Sequence, residues 1–292
     1  MLNAALWMLL QAYAVEKTAD AVAVKSGDQE VLKYQLVRPA DGGPTASSAC
    51  YFHPLTTPKG VVVTDVAPSD HKHHRGIFLA WVEMHGKKDA DFWGWGQYAP
   101  VKDRVIVNKS VSELRGGEAA RFRAENDWMA DGEVLVKEEL EASLRARGPA
   151  NVLDLVYTLK ADADLKLPKW AFSGFCARLR KDGKATAQGP EGEVTLAAPH
   201  HLKPETDWPA QPWVGLQMAL PDGGQAGAAV IDHSRNPPSR WHVLKAIGML
   251  NPVVVADHDL VLKGGEPLVL RYSVVAWDGP LPRELLSELA AR

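Results

Sequence analysis

Asp131-Gly132-Glu133-Val134-Leu135-Val136-Lys137-Glu138-Glu139-Leu140-Glu141-Ala142-Ser143-Leu144-Arg145-Ala146-Arg147-Gly148-Pro149 decides the fold. Its Glu, Leu, Lys, Ala and Arg content gives it helical propensity, because such side chains lose little rotamer freedom in a helix. The run Val134-Leu135-Val136 and the turn signals at both ends, Asp131-Gly132 and Arg147-Gly148-Pro149, favour one long strand between hairpin turns. Outward from it, Arg104 to Val111 and Val152 to Leu159 alternate as strands do, and Gly116-Gly117 separates two more candidates. Further strands are expected at Glu30 to Val37, Val61 to Thr64, Phe172 to Arg180, Val194 to Ala197, Val214 to Leu220, Ala228 to Ile231, Val253 to Ala256 and Leu268 to Trp277. Pro282 to Leu289 has Pro in its first turn and apolar positions at helical spacing, which predicts a short C-terminal helix. Many short strands with Gly and Pro turns specify an all-β protein, a large single-domain antiparallel β-sandwich of the supersandwich kind.

The 292 residues are enough for two average domains or one large all-β domain. No repeat, linker or composition shift marks a boundary, so residues 15–292 are expected to form one domain. Lys plus Arg (33) nearly balances Asp plus Glu (36), and no basic stripe is present, which argues against nucleic acid as a partner. Ala4 to Leu10 is a short apolar run followed by Ala12-Tyr13-Ala14, a cleavage-like pattern that lacks a basic n-region. Residues 1–14 therefore read as a signal peptide or leader, with a buried helix as the alternative. The expected location is periplasmic or extracellular, the cytoplasm being the alternative. A membrane span takes roughly 20 apolar residues, and no segment qualifies. Cys50 and Cys176 make no disulfide framework, and their pairing is open.

Asp70-His71-Lys72-His73-His74-Arg75-Gly76 concentrates three imidazoles, an acid and two cations ahead of the apolar run Ile77 to Met84. On a strand His71 and His73 would share a face; in a helical turn His71 would approach His74. Mutual repulsion, together with Lys72 and Arg75, should keep the rings neutral near pH 7, fit to act as bases or metal ligands. Ile77, Leu79 and Trp81 share one face with Glu83, and Phe78, Ala80 and Val82 line the other. The strand is therefore expected to be central, with Arg75 and Glu83 on the same side.

A second constellation, Asp232-His233-Ser234-Arg235-Asn236-Pro237-Pro238-Ser239-Arg240-Trp241-His242, follows a short apolar strand. The expected catalytic residues are His71, His73, His74, Arg75, Glu83, Asp232 and His233, because proton transfer on a sugar needs an acid and a base tuned near the working pH. Asp70 and Asp91 add carboxylates to this set. Substrate binding is expected from His53, Asp91, Trp93, Trp95, Asn236, Trp241 and His242. Single Trp residues are more often core, as for Trp81, Trp208 and Trp213, but glycines flank Trp93 and Trp95 and would leave their faces open. His71, His73, Glu83 and His233 would alternatively hold a divalent metal. No phosphate loop, dinucleotide fingerprint, Gly-x-Ser-x-Gly or His-Glu-x-x-His is present, so no nucleotide cofactor is expected.

Tyr51-Phe52-His53-Pro54-Leu55, Asp70 to Gly76, Asp91-Phe92-Trp93 and Asp232 to His242, in this order, resemble motifs of the bacterial PmoA-like family, usually labelled "methane oxygenase PmoA". The resemblance runs from about Tyr51 to Asp278, its most specific part being His73-His74-Arg75-Gly76. Lys72 stands where the family most often has Pro. The resemblance implies a β-rich fold and occurrence in bacteria that degrade polysaccharides, without an established reaction. A particulate methane monooxygenase subunit is an integral membrane protein, whereas this sequence has no spanning segment. The expected function is therefore a sugar-active hydrolase, lyase or epimerase using His and carboxylate groups, metal-assisted or not, on a small-molecule or oligosaccharide substrate. A non-catalytic carbohydrate-binding module and a metal-dependent oxygenase are the alternatives.

Overall fold

The computed structural model describes residues 12–40, 43–182, 184–194 and 209–292. Residues 1–11 of the expected leader, the strand beyond Val194, and His200, His201 and Trp208 lie outside the described residues. The deciding stretch is a strand, Glu133–Arg147, paired with Ala119–Ala130 on one side and Ala150–Lys160 on the other. Alternation explains why it is not a helix. In Ala119–Ala130, Ala120, Phe122, Ala124, Asn126 and Trp128 are buried, while Arg121, Arg123 and Glu125 between them are outward. Val136, Glu138, Leu140, Ala142 and Leu144 continue the buried face on Glu133–Arg147, and only a period of two places all these residues on one side.

With Arg104–Arg115 at one edge, this meander forms one side of a nine-stranded sheet. It continues through Leu268–Asp278, Gln225–Asp232, Trp213–Ala219 and Lys184–Gly189 to Gly192–Glu193. An eight-stranded sheet faces it, in the spatial order Tyr13–Lys17, Ala21–Ser26, Gln29–Gln35, Tyr51–Leu55, Ile77–Ala80, Gly174–Arg178, Met249–Val253 and Arg240–Leu244. All pairings between these strands are antiparallel. Leu165–Leu167 and Leu260–Leu262 form a separate two-stranded ribbon.

The core lies between the two large sheets. Phe175 stacks on Tyr272 across the gap at 4.0 Å, Tyr34 and Phe52 meet Phe122, and Trp81 meets Trp128. Since Phe175 faces inward, Cys176 and Arg178 on the same strand face outward, toward the loops that carry the site. The C-terminal helix, Arg283–Ala290, lays Leu286 and Leu289 on the outer face of the nine-stranded sheet against Trp213, Ile231, Val275 and Trp277.

Several expected boundaries move. Tyr13 and Ala14, assigned to the leader, belong to a strand, and the Tyr13 hydroxyl donates to Asn151. The run after Gly76 is strand only to Ala80, because the Trp81 carbonyl turns to accept the N–H groups of Phe92 and Trp93. Val253 ends a strand, and Val254 to Ala256 is a turn closed by Ala256 N–H on the Val253 carbonyl. Arg240–Leu244, expected as loop, is an edge strand. Cys50 and Cys176 are free thiols.

One carboxylate is sealed inside the sandwich. Glu138 is 5% exposed and accepts hydrogen bonds from Asn126 Nδ2 (2.7 Å) and Trp128 Nε1 (2.9 Å). Burial pushes its pKa up from 4.5 to about 7 against the pull of those two donors. A raised pKa means that its stabilisation is complete below pH 4.5 and is lost as pH rises through about 7. Wild type should therefore lose roughly 3 kcal/mol across that window that a Glu138→Gln variant does not lose. Urea titrations of both proteins at pH 4.5 and 8 test this, and parallel stability curves would contradict it.

Candidate active site

The His stretch is a tight hairpin rather than a strand or helix. His71 N–H bonds to the Pro68 carbonyl, His74 N–H to the His71 carbonyl, and Ala67 N–H to the His74 carbonyl. The turn places His71 and His74 on the same side, with His73 beside them. Ring centroids are 4.8 Å apart for His71 and His74, 4.6 Å for His73 and His74, and 5.8 Å for His71 and His73. Gly76 closes the hairpin with φ +59°, and a Cβ there would lie 2.1 Å from the Phe52 carbonyl oxygen.

Two guanidinium groups fasten these loops. Arg178, fully buried on the outer face of its strand, donates to Asp70 Oδ1 at 2.8 Å and lies 3.3 Å from His74 Nδ1. Arginine has no acceptor, so His74 Nδ1 accepts and the ring proton sits on Nε2. Lys181 binds the other Asp70 oxygen at 2.5 Å, and Asp70 Oδ1 also lies 3.4 Å from His71 Nδ1. Burial of Asp70 opposes ionisation, but Lys181 and Arg178 overcome it and hold the carboxyl well below its usual range. Arg75 is also fully buried and donates to the carbonyls of Phe92 (2.8 Å) and Trp93 (3.1 Å), its guanidinium lying 4.4 Å from the Phe78 ring.

His71, His73, His74 and His242 line one cavity of about 50 Å³ together with Trp95, Phe172, Leu244, Ile247 and Met249. Burial first, then the neighbouring imidazoles and the Arg75 and Arg178 guanidinium groups, lowers the pKa of His73 to about 4 and that of His74 further. Both rings are therefore neutral at pH 7. Trp95 is 40% exposed at the rim, 6.1 Å from the His73 ring. Asp91 shapes this loop by accepting the N–H groups of Gly94 and Gly96, each at 2.6 Å. Burial raises the Asp91 pKa to about 6 against those hydrogen bonds.

The other expected site residues lie elsewhere. Arg75 and Trp93 are wholly buried, Arg75 as a fastener and Trp93 as packing for Phe78 at 4.9 Å, so neither offers a face to a ligand. Glu83 is not among the cavity's lining residues, and the strand expected to carry it stops at Ala80. It accepts from Trp170 Nε1 at 2.7 Å and contacts His85 Nε2 at 2.6 Å. Asp232 belongs to the nine-stranded sheet, where Asn236 and Ser239 donate to it; burial raises its pKa to about 6 despite both. His233 contacts Ser273 at 3.0 Å, whose hydroxyl donates to Asp154. His53 contacts Thr64, and buried Trp241 donates to the Gln211 carbonyl. From the second constellation His242 alone lines the cavity.

The expected metal set is thereby divided, with Glu83 and His233 away from His71 and His73. Among the described residues no three His, Cys, Asp or Glu side chains form a group that could hold a metal ion. Sequence reading also missed residues that complete the cavity surroundings. Arg178, Lys181, Phe172 and Met249 are far from the His motif in the chain and carry no local signal.

Fold and pocket define a β-sandwich whose His-lined recess lies on the outer face of one sheet. Residues 21–291 match the family of unknown function DUF6807, and the chain belongs to that family. No curated protein matches the sequence. Similar solved structures include the GH36 alpha-galactosidase AgaA from Geobacillus stearothermophilus, with 11% identity, 91% of this chain and 41% of that chain covered, and a TM-score of 0.40. A galactose mutarotase related enzyme from Lactobacillus acidophilus has 9% identity, 92% and 100% covered, and a TM-score of 0.37. A polysaccharide lyase has 11% identity, 92% and 33% covered, and a TM-score of 0.33. The chain spans about two fifths of the galactosidase's length. No helix among the described residues is long and apolar enough to cross a membrane.

The lowered His73 pKa has a consequence for stability. Between 6.5 and about 4 the unfolded chain takes up a proton at this residue and the folded protein does not, so stability falls as pH falls through that window. A His73→Asn variant lacks this loss. Its melting temperature should rise relative to wild type between pH 7 and pH 4, as thermal unfolding monitored by circular dichroism would record. A constant difference would mean that His73 titrates as in the unfolded chain.

Proposed function

We propose that the protein is a carbohydrate-active enzyme that moves protons with neutral imidazoles, in the manner of a lyase or epimerase. The observation that carries this reading is the convergence of His71, His73 and His74 on one cavity whose described lining residues include no carboxylate. Hydrolysis by the usual pair of Asp or Glu residues flanking a glycosidic bond has no counterpart among those described residues. A neutral imidazole, in contrast, is a base at pH 7 without further tuning.

The roles follow from hydrogen bonding. Asp70, locked by Arg178 and Lys181, lies 3.4 Å from His71 Nδ1, and its negative charge favours the tautomer with the proton on Nδ1 and Nε2 as the basic atom. His74, whose Nδ1 is taken by Arg178, presents Nε2–H as a donor to a substrate oxygen. His73 lies beside His74, 4.6 Å from its ring and 5.8 Å from that of His71, as the second base. The oxygenase reading implied by the PmoA-like resemblance requires a redox metal, and no three-donor group is available for one among the described residues. Exposed Trp95 keeps a binding module as the second reading.

The test is turnover on a panel of neutral sugars and uronic-acid polysaccharides, followed by the absorbance of a new C=C bond and by epimer analysis. His71→Ala and His73→Ala should each lower kcat/KM by about 10²- to 10⁴-fold with the fold intact. If His73 is the base, the rate should also fall as pH drops through about 4, because its protonated form cannot accept a proton. Full activity in both variants would remove the proposal, and glycan binding without turnover in wild type would favour the binding module.

A further inference from the structure

The cavity is too small for the substrate that its chemistry addresses. An apolar cavity that admits benzene measures about 150 Å³, against about 50 Å³ here. A pyranose ring is no smaller than benzene, so only a substituent, such as a hydroxyl or carboxyl group, can reach the imidazoles. The ring that carries it must lie outside, on the surface.

That surface is aromatic. From the cavity wall, Phe172 lies 5.3 Å from Trp95 and 5.7 Å from Trp170, and Trp170 lies 4.9 Å from Tyr98. Trp95 and Tyr98 are the members open to solvent, at 40% and 50% exposure. They are also held in place. Gln97 Oε1 accepts from Trp95 Nε1 at 2.5 Å, and Gln97 Nε2 donates to the Tyr98 hydroxyl at 3.0 Å. Beneath them Asp91 fixes Gly94 and Gly96, whose φ angles of +96° and +74° shape the loop, and Glu83 fixes the Trp170 indole. Two large apolar faces so exposed cost solvation unless something covers them, and rigid rings spend little entropy on being covered.

We infer that Trp95 and Tyr98 form two stacking subsites for successive rings of an extended oligosaccharide, which lies along the surface and lowers one ring substituent into the His cavity. The inference rests on the carbohydrate reading above and narrows it from sugars in general to chains of at least two units. A free monosaccharide fills one platform at most. Flat pyranose faces stack on the rings while equatorial hydroxyls stay in water, where Gln97, whose amide joins the two rings, is at hand.

The test is binding to an array of matched mono- to hexasaccharides of glucose, galactose, mannose, xylose and uronic acids, with wild type, Trp95→Ala, Tyr98→Ala and His73→Ala. Wild type should bind at least one series with affinity that rises from monomer to trimer. Trp95→Ala and Tyr98→Ala should each weaken trimer binding by about threefold to tenfold, while His73→Ala keeps the length dependence. Tyr98→Phe, which keeps the ring, should retain most of the affinity. Binding that is independent of length, absent in every series, or unchanged in both aromatic variants overturns the inference. Length-dependent binding without turnover would uphold the platform and remove the enzyme reading. Turnover of monosaccharides as fast as of hexamers would do the reverse.

Discussion

The site depends on two guanidinium groups that have been taken wholly out of water. Burying a cation costs several kcal/mol unless opposite charge and acceptors surround it, and Arg75 and Arg178 meet that demand in different ways. Arg178 recruits a carboxylate, Asp70, from the His hairpin. Arg75, itself part of that hairpin, recruits the backbone carbonyls of Phe92 and Trp93 in the aromatic loop. The first tie holds the hairpin to the sheet and the second holds the aromatic loop to the hairpin. The His hairpin has little apolar surface of its own to bury, so its shape follows from satisfying these donors, whereas the aromatic loop is also anchored by buried Phe92 and Trp93.

The same two cations set the electrostatics. Burial already disfavours imidazolium, and the nearby guanidinium groups add to that, so His73 and His74 are kept neutral. Asp70 is kept ionised by Arg178 and Lys181 despite its partial burial. The cluster thus separates its roles: a fixed negative charge behind, neutral donors and acceptors in front. Asp91 differs, because burial outweighs both the backbone N–H groups that bind it and the charge of nearby Arg75, and its pKa rises to about 6.

How much of this was legible in the sequence varies with the range of the interaction. Alternation and Asp-Gly, Gly-Gly and Gly-Pro turns gave the meander from Arg104 to Lys160, because strand faces and hairpins are local properties. The dense His motif was visible for the same reason. Glu83 was expected in the site from strand parity, but the strand that carries this parity ends at Ala80, where the Trp81 carbonyl turns to accept from Phe92 and Trp93, and Glu83 is not among the cavity's lining residues. His233 and Asp232 were misplaced because a polar loop after a strand does not reveal which of two sheets that strand joins. Arg178 and Lys181 were not seen at all: each meets Asp70 across more than a hundred residues, and no spacing rule spans such a distance. The N-terminal strand Tyr13–Lys17 was hidden behind a leader-like run.

The cavity draws its walls from one edge of one sheet. His242 and Leu244 come from the edge strand, Met249 from its neighbour, Phe172 from the approach to the next, and the His hairpin from the loop ahead of Ile77. Outward parity puts His242 and Leu244 on the face opposite Trp241 and Val243, which pack inward. Among the described residues the nine-stranded sheet contributes none to the cavity wall. It serves as backing, through contacts such as Phe175 on Tyr272 that keep the central strands flat against the core. Changes in the hairpin or the aromatic loop can therefore alter what the recess accepts without disturbing the packing between the sheets, provided that the two buried arginines keep their acceptors.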